Sequence, residues 1–317
     1  MNHAIIFYIT LLLAILSTCV ALSFETAGHN LLKACHHELS RRRAIRSVAA
    51  CTIGLAPSLT CIINSQPAMA SIKDPKTGIL LPEAGEIEGA FPATWDDDDN
   101  PFISMGKEGF SRLDSADDSV FYTDPRFVEH VDENAVKAMT SYISDRFLER
   151  GDTVLDLCSS WTSHITAQSK DRLELKRIAG LGMNSKELSS NPLLTDWAVL
   201  DLNKASARLP YEDSIFDKVI CQLSIDYLTR PLDVMREVGR VLKPGGRVAI
   251  LFSNRLFIQK AIGLWTGADD IDHAYTVGAY LHYSRGGFGD IKAEDLSSRR
   301  GKLIVGDPLY VVTAVKK

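Results

Sequence analysis

Apolar positions change their period along the chain, and the changes mark the elements. From Asp132 onward, Val136, Met139, Tyr142, Ile143 and Phe147 recur at three- and four-residue steps. That spacing predicts an amphipathic helix closed by Arg150-Gly151. Short apolar, β-branched runs then predict strands at Thr153 to Leu157, Arg177 to Leu181, Trp197 to Leu200, Phe216 to Cys221 and Arg247 to Phe252. Leu232 to Leu242 has the helical period and stops at Lys243-Pro244-Gly245-Gly246, a helix end followed by a turn. Arg255 to Trp265 and Ile271 to Leu281 read as helices, Leu303 to Val305 and Tyr310 to Val315 as a closing strand pair. Strands alternating with helices predict an α/β fold, a mostly parallel sheet with helices on both faces. Residues 71–120 keep neither period. They carry Pro75, Pro82, Pro92 and Pro101 and the acidic run Asp96 to Asp99, and read as an irregular extension with a solvated acidic loop.

The first 70 residues follow different rules. Ile5 to Leu22 is almost wholly apolar and ends in Ala21-Leu22-Ser23, a small-x-small cleavage pattern before Phe24. This reads as a secretory signal peptide over about residues 1–23, with a membrane anchor as the alternative. Ser40-Arg41-Arg42-Arg43-Ala44-Ile45-Arg46 then precedes a mildly apolar run from Val48 to Ile63 and a second cleavage pattern, Ala68-Met69-Ala70. Residues 24–70 resemble a twin-arginine translocation signal, and a basic, acid-poor transit peptide is the other reading. Together the layers resemble the presequences of algae with secondary plastids. The resemblance implies a plastid, with the thylakoid lumen as one destination, and a mature chain without a stable membrane span. The expected organisation is a presequence over 1–70, the extension over 71–120 and a catalytic domain over 121–317.

Composition is ordinary for a globular protein: 317 residues, 45% hydrophobic, 24% charged, formal net charge −5. The densest basic stretch, Arg41 to Arg46, lies inside the presequence, so the remainder is more acidic than the whole. An acidic domain does not steer toward polyanions, which argues against nucleic acid and for a small-molecule or lipid-like partner. Four of the six cysteines, Cys19, Cys35, Cys51 and Cys61, also precede Ala70. Without a CxxC pair there is no expected metal site and no disulfide framework. Cys158 and Cys221 end the first and fourth predicted strands. Neighbouring strands would bring them within disulfide reach, against the commoner state of two buried thiols.

In such a sheet ligands bind beyond the carboxyl ends of the strands. After strand one comes Asp156-Leu157-Cys158-Ser159-Ser160-Trp161-Thr162. The small residues let a ligand approach the backbone, and Asp156 either accepts from an amino group or orders the loop. After strand two, Gly180-Leu181-Gly182-Met183-Asn184 lacks the third glycine of a dinucleotide fingerprint. Asn184 either bonds ribose hydroxyls or caps the next helix. Tyr122, Asp124 and Arg126, just ahead of the first helix, are placed to form a lid.

The succession Asp201-Leu202-Asn203, then Leu209-Pro210-Tyr211-Glu212-Asp213-Ser214-Ile215-Phe216-Asp217-Lys218-Val219, then Arg240-Val241-Leu242-Lys243-Pro244-Gly245-Gly246 resembles the type 11 branch of class I S-adenosylmethionine-dependent methyltransferases. The resemblance implies a Rossmann-like, seven-stranded, mostly parallel sheet and S-adenosyl-L-methionine as cofactor. It places Asp156, Cys158, Ser159 and Ser160 in the cofactor loop, Asn184 at the ribose, Asp201 and Leu202 at the adenine, and Cys221 and Gln222 on the floor. Where the family carries D-x-G-x-G-x-G this chain has no glycine, and Asn184 replaces the usual acid. Candidate groups for removing a proton from the acceptor are Asp226, Tyr227 and His273, with Asn254 and His282 behind them; each also has a structural reading as a cap, a core residue or a helix-surface residue. The competing class is a methyltransferase-fold protein that binds without catalysing.

Overall fold

The computed structural model describes residues 72–205 and 208–317, so both expected targeting signals lie outside the described residues. The described chain divides into two units. Of the first, residues 102–109 are described, and they include the end of a short helix, Pro101–Met105. The second holds residues 72–101 and 110–317, and everything below concerns it.

Seven strands form one sheet: β1 (Thr153–Leu157), β2 (Arg177–Gly182), β3 (Asp196–Val199), β4 (Phe216–Gln222), β5 (Leu242–Phe252), β6 (Phe288–Asp295) and β9 (Tyr310–Lys316), in the order β3-β2-β1-β4-β5-β9-β6. The first five are parallel, and β9 runs antiparallel to both β5 and β6. β7 (Arg299–Arg300) and β8 (Leu303–Ile304) make a separate small ribbon. The central strands are buried almost end to end rather than at alternate positions, the mark of a sheet covered on both faces. Edge strand β3 alternates instead and exposes Trp197 and Val199.

Helix α1 (Glu133–Ser141) is capped by Asp132, whose carboxylate accepts from Ala135 N at 3.0 Å. Asp132 and Asp307 also exchange backbone-to-carboxylate bonds at 2.9 Å, tying the helix start to the loop before β9. The helix continues as a π-helical turn, Tyr142–Phe147, and the chain is already extended at Leu148, before the expected stop at Arg150-Gly151. Ala135, Met139, Ile143 and Phe147 pack on Val154, Ile178, Ile220 and Ala249 of four strands. Further helices are α2 (Ala167–Arg172), α3 (Ser185–Ser190), α4 (Pro231–Val241) and α5 (Asp270–Tyr283).

Three expectations fail for identifiable reasons. Strand five starts at Leu242, not Arg247, because the Lys243–Gly246 turn is absorbed as an irregularity in its pairing with β4, with Gly245 at φ +79°. Arg255 to Trp265 is not a helix. Its backbone bonds go elsewhere: Gln259 O accepts from Asp114 N, while Gly263 N donates to Ser111 O and Ile262 N to Asp226 O. A period alone cannot show that a neighbouring segment claims those groups. The closing hairpin pairs β9 with Phe288–Asp295, a run of alternating burial broken by glycine and charge, whereas Leu303–Ile304 pairs locally with Arg299–Arg300.

The extension is irregular yet attached. Asp74 is buried and bonds Asn254 Nδ2 and Arg255 at 3.0 and 2.9 Å, and Trp95 stacks on Tyr275 and His282 of α5. Asp97 of the acidic run reaches His282 at 2.9 Å.

Candidate active site

The carboxyl ends of β1, β2 and β4 and the loop after β3 open on a cavity of about 320 Å³. Of the expected residues, Asp156, Cys158, Ser159, Ser160, Asn184, Asp201, Leu202, Gln222 and Tyr227 line it. Cys221, Asp226, His273, Asn254 and His282 do not.

Asp156 orders the loop. Its carboxylate accepts from Ser159 Oγ and Ser163 Oγ at 2.6 Å each and from Gln222 Nε2 at 3.0 Å. Burial pushes its pKa up, against the pull of these three donors. Cys158 adopts φ +59°, the left-handed region that glycine occupies without strain. Hydroxyl-to-carboxylate bonds thus hold the turn that glycines would otherwise relax into. One glycine is required beside it: a Cβ on Gly182 would collide with the Ser159 carbonyl. Cys158 and Cys221 are free thiols, not the disulfide weighed from sequence; the Cys158 hydrogen bond, then burial, push the Cys221 thiol up.

Asn184 is a cap. Its Oδ1 accepts from Lys186 N and Glu187 N, and its Nδ2 donates to the carbonyls of Tyr122 and Thr123. An amide does both jobs at once, which a carboxylate cannot. Glu187, unremarked in the sequence, is buried beneath: Arg126 N donates to its Oε1 at 2.7 Å and Ser160 Oγ to its Oε2 at 2.6 Å. The expected lid is therefore fastened to α3. Tyr122 and Arg126 line the cavity, the Arg126 guanidinium lies 4.2 Å over the Phe121 ring, and Asp124 takes no part in the lining.

At the β3 end, Asp201 Oδ1 accepts from Asn203 N, while Oδ2 has Lys204 Nζ 3.7 Å away. Asn203 donates to Asp118 Oδ2 and to Tyr227 O and accepts from Thr229, pinning this loop to the next. At the opposite end His164 bridges Gln222 Oε1 (2.7 Å, through Nδ1) and Glu129 Oε2 (3.1 Å, through Nε2). His164 and Glu129 carry no local motif; only the fold brings residues 35 positions apart together.

The proposed bases separate. Tyr227 faces the cavity, and its hydroxyl accepts from Phe257 N at 2.9 Å. Asp226 is buried behind it, its Oδ2 without a hydrogen-bond partner among the described residues, and burial raises its pKa to about 7. His273 is a core residue: its ring stacks on Trp265 at 4.1 Å and its Nε2 donates to Trp265 O. Asn254 is consumed by Asp74, and His282 stacks on Trp95.

A doubly wound sheet with an antiparallel strand inserted beside β5, and a cleft over the ends of β1 to β4, is the Rossmann-like architecture of the class I methyltransferase fold. Residues 162–250 match the family model described as "Methyltransferase domain". The chain is 32% identical over 121 residues to "Ubiquinone/menaquinone biosynthesis C-methyltransferase UbiE" of Ruegeria sp. (strain TM1040), covering 37% of this chain and 40% of that protein. It is 28% identical over 134 residues to "Malonyl-[acyl-carrier protein] O-methyltransferase" of Marinomonas sp. (strain MWYL1), covering 40% and 48%. The chain thus spans less than half the length of these curated relatives. Among solved structures, an S-adenosylmethionine-dependent methyltransferase from Mesorhizobium loti aligns with a TM-score of 0.41 at 18% identity, covering 57% of this chain and 100% of that one.

Proposed function

We propose that this chain methylates a small or prenylated acceptor, a quinone-like ring, with S-adenosyl-L-methionine as donor, and that it does so in a plastid. The observation that carries the reading is the cleft over β1 to β4, with the Asp201 carboxylate at one end and the His164–Gln222 pair at the other. The residues present fit the cofactor. Leu200 and Leu202 flank Asp201 for a flat base with an exocyclic amine, and the Gly182–Ser159 contact leaves no Cβ in the backbone approach. The donor supplies a methyl already activated on a sulfonium, so the chain's task is to align the acceptor and exclude water. Tyr122, Tyr227 and Phe257 present aromatic surface to a ring. Tyr227 lines the cavity and Asp226 is buried behind it, which offers an acceptor's proton a route out of the cleft. The name of the Ruegeria relative supports a quinone-like acceptor. Among the described residues no helix is long and apolar enough to cross a membrane.

A second reading has its own support. The Asp156 carboxylate and the Asn184 amide, expected at the cofactor, already have their partners within the protein, as they would in a binding protein without activity. Calorimetry of the chain with S-adenosylmethionine and its demethylated product tests the main reading, and absence of binding at millimolar concentration would end it. Binding without methyl transfer to any quinol or phenol would favour the second. The layered pattern of residues 1–70 supports the plastid; a fluorescent fusion to that segment should enter plastids, and retention elsewhere would remove this part of the reading.

A further inference from the structure

Among the described residues, four side chains able to carry positive charge line the cleft: Arg126, His130, His164 and Arg255. Three are accounted for. Arg126 bonds Phe121 O and lies over the Phe121 ring. Arg255 is held between Asp74 and Asp307 at 2.9 and 2.7 Å. Burial pushes His130 below its usual range, against its charged form.

His164 differs. Gln222 gives its Nε2–H to the Asp156 carboxylate, so its Oε1 faces His164 Nδ1, which must donate. The other ring nitrogen meets the carboxylate of Glu129. The ring is thus set between two acceptors, an amide oxygen at Nδ1 and a carboxylate at Nε2. His164 is also held at φ +49°, and its side chain is 8% exposed. Its position is costly and over-determined, as at a site selected for a ligand. Glu129 is 36% exposed, and the bond it accepts from His164 is the one hydrogen bond it makes among the described side chains. It is thus the easily displaced half of the pair. It stands at the β1/β4 end of the cleft, opposite Asp201, where the amino-acid tail of an adenosyl cofactor would lie if the base sits against Asp201 and Leu202.

We infer that His164 is the receptor for the α-carboxylate of the cofactor's amino-acid tail, and that Glu129 is an internal carboxylate occupying the same nitrogen until the cofactor displaces it. The inference rests on the methyltransferase reading above. The Gln222–Asp156 bond fixes the ring from behind, so the loop without glycines contributes to cofactor binding indirectly. Asp156 holds Gln222, Gln222 holds His164, and His164 meets the ligand.

The test compares two ligands on the full chain by calorimetry: S-adenosylhomocysteine, which has the amino-acid tail, and methylthioadenosine, which lacks it. His164→Asn should weaken S-adenosylhomocysteine about tenfold or more, the worth of one charge-assisted bond, and leave methylthioadenosine unchanged. Glu129→Gln should act in the opposite direction, tightening S-adenosylhomocysteine about threefold to tenfold with methylthioadenosine again unchanged. Damage to the fold would weaken both ligands in both variants, so opposite signs are diagnostic. An unaltered ratio of the two affinities in His164→Asn, or weaker S-adenosylhomocysteine binding in Glu129→Gln, would overturn the assignment while leaving the cofactor reading intact. If the wild-type chain binds neither ligand, the cofactor reading itself fails and the inference falls with it.

Discussion

Two aspartates at the ends of adjacent strands are buried to nearly the same depth and have opposite surroundings. Asp156, at the end of β1, is 1% exposed and meets three donors. Asp226, just past β4, is 4% exposed and leaves an oxygen without a hydrogen-bond partner among the described residues. Burial raises both pKa values. At Asp156 the donors make the carboxylate a fastening for a loop that lacks glycines. At Asp226 the same burial yields a group poised near neutrality behind the cavity wall. Depth alone therefore says nothing of role; the donor count separates a fastening from a titrating group.

The comparison is broken most directly at Asp156. Asp156→Ala strands two hydroxyls and an amide in a buried site and frees the Cys158 turn from its restraint. Loss of about 3–5 kcal/mol is expected, read from the urea midpoint. A loss under about 1 kcal/mol would mean the serines rebond elsewhere and the loop does not depend on the carboxylate.

Asp226 should respond in the other direction. Its folded pKa of about 7 lies above the 3.8 of an ordinary aspartate, so the native state holds a proton the unfolded chain has released. Between those pH values stability falls as pH rises, and above about 7 the loss is complete. The groups that face it are Tyr122, Cys221, Tyr227, His273 and Tyr280. Asp226→Asn removes the titration. The variant should show a flatter stability profile from acid to neutral pH and, at pH values above 7, a gain of about 1–3 kcal/mol over wild type. Parallel profiles for the two proteins would show that Asp226 is not the titrating group. If Tyr227 and Asp226 also pass a proton from the acceptor, the same variant loses turnover while gaining stability.

How much of this was legible in the sequence follows from what each signal encodes. The five parallel strands and helices α1, α4 and α5 announce themselves because burial on one or both faces writes a local period. The Arg255–Trp265 segment had the period but not the structure, because its backbone groups bond to residues 111–114 and to Asp226, which no window reaches. At the site, the loops after β1, β2 and β3 were found from order and spacing. The partners within them were not. Glu187, Glu129 and His164 act across 27 to 61 positions, and a lone histidine or glutamate in sequence carries no mark of such a partner. His273 shows the converse: polar, on a late helix, and spent on packing against Trp265.

The finest prediction concerns Cys158, where the chain departs from glycine. At an ordinary backbone position glycine is the less stable choice, because it gives the unfolded chain more freedom, by roughly 0.5–1 kcal/mol relative to alanine. At φ +59° the order inverts, because alanine keeps the steric cost of a Cβ and glycine does not. Both substitutions remove the same thiol, so the contrast between them isolates the backbone. Cys158→Gly should therefore be more stable than Cys158→Ala by about 0.5–1 kcal/mol, measured as the difference in urea midpoint at constant slope. Alanine as the more stable of the two would show that the turn relaxes out of the left-handed region once the thiol is gone. The Asp156 bonds would then hold the serines but not the backbone between them, and the cost of a loop without glycines would lie in its hydroxyl network alone.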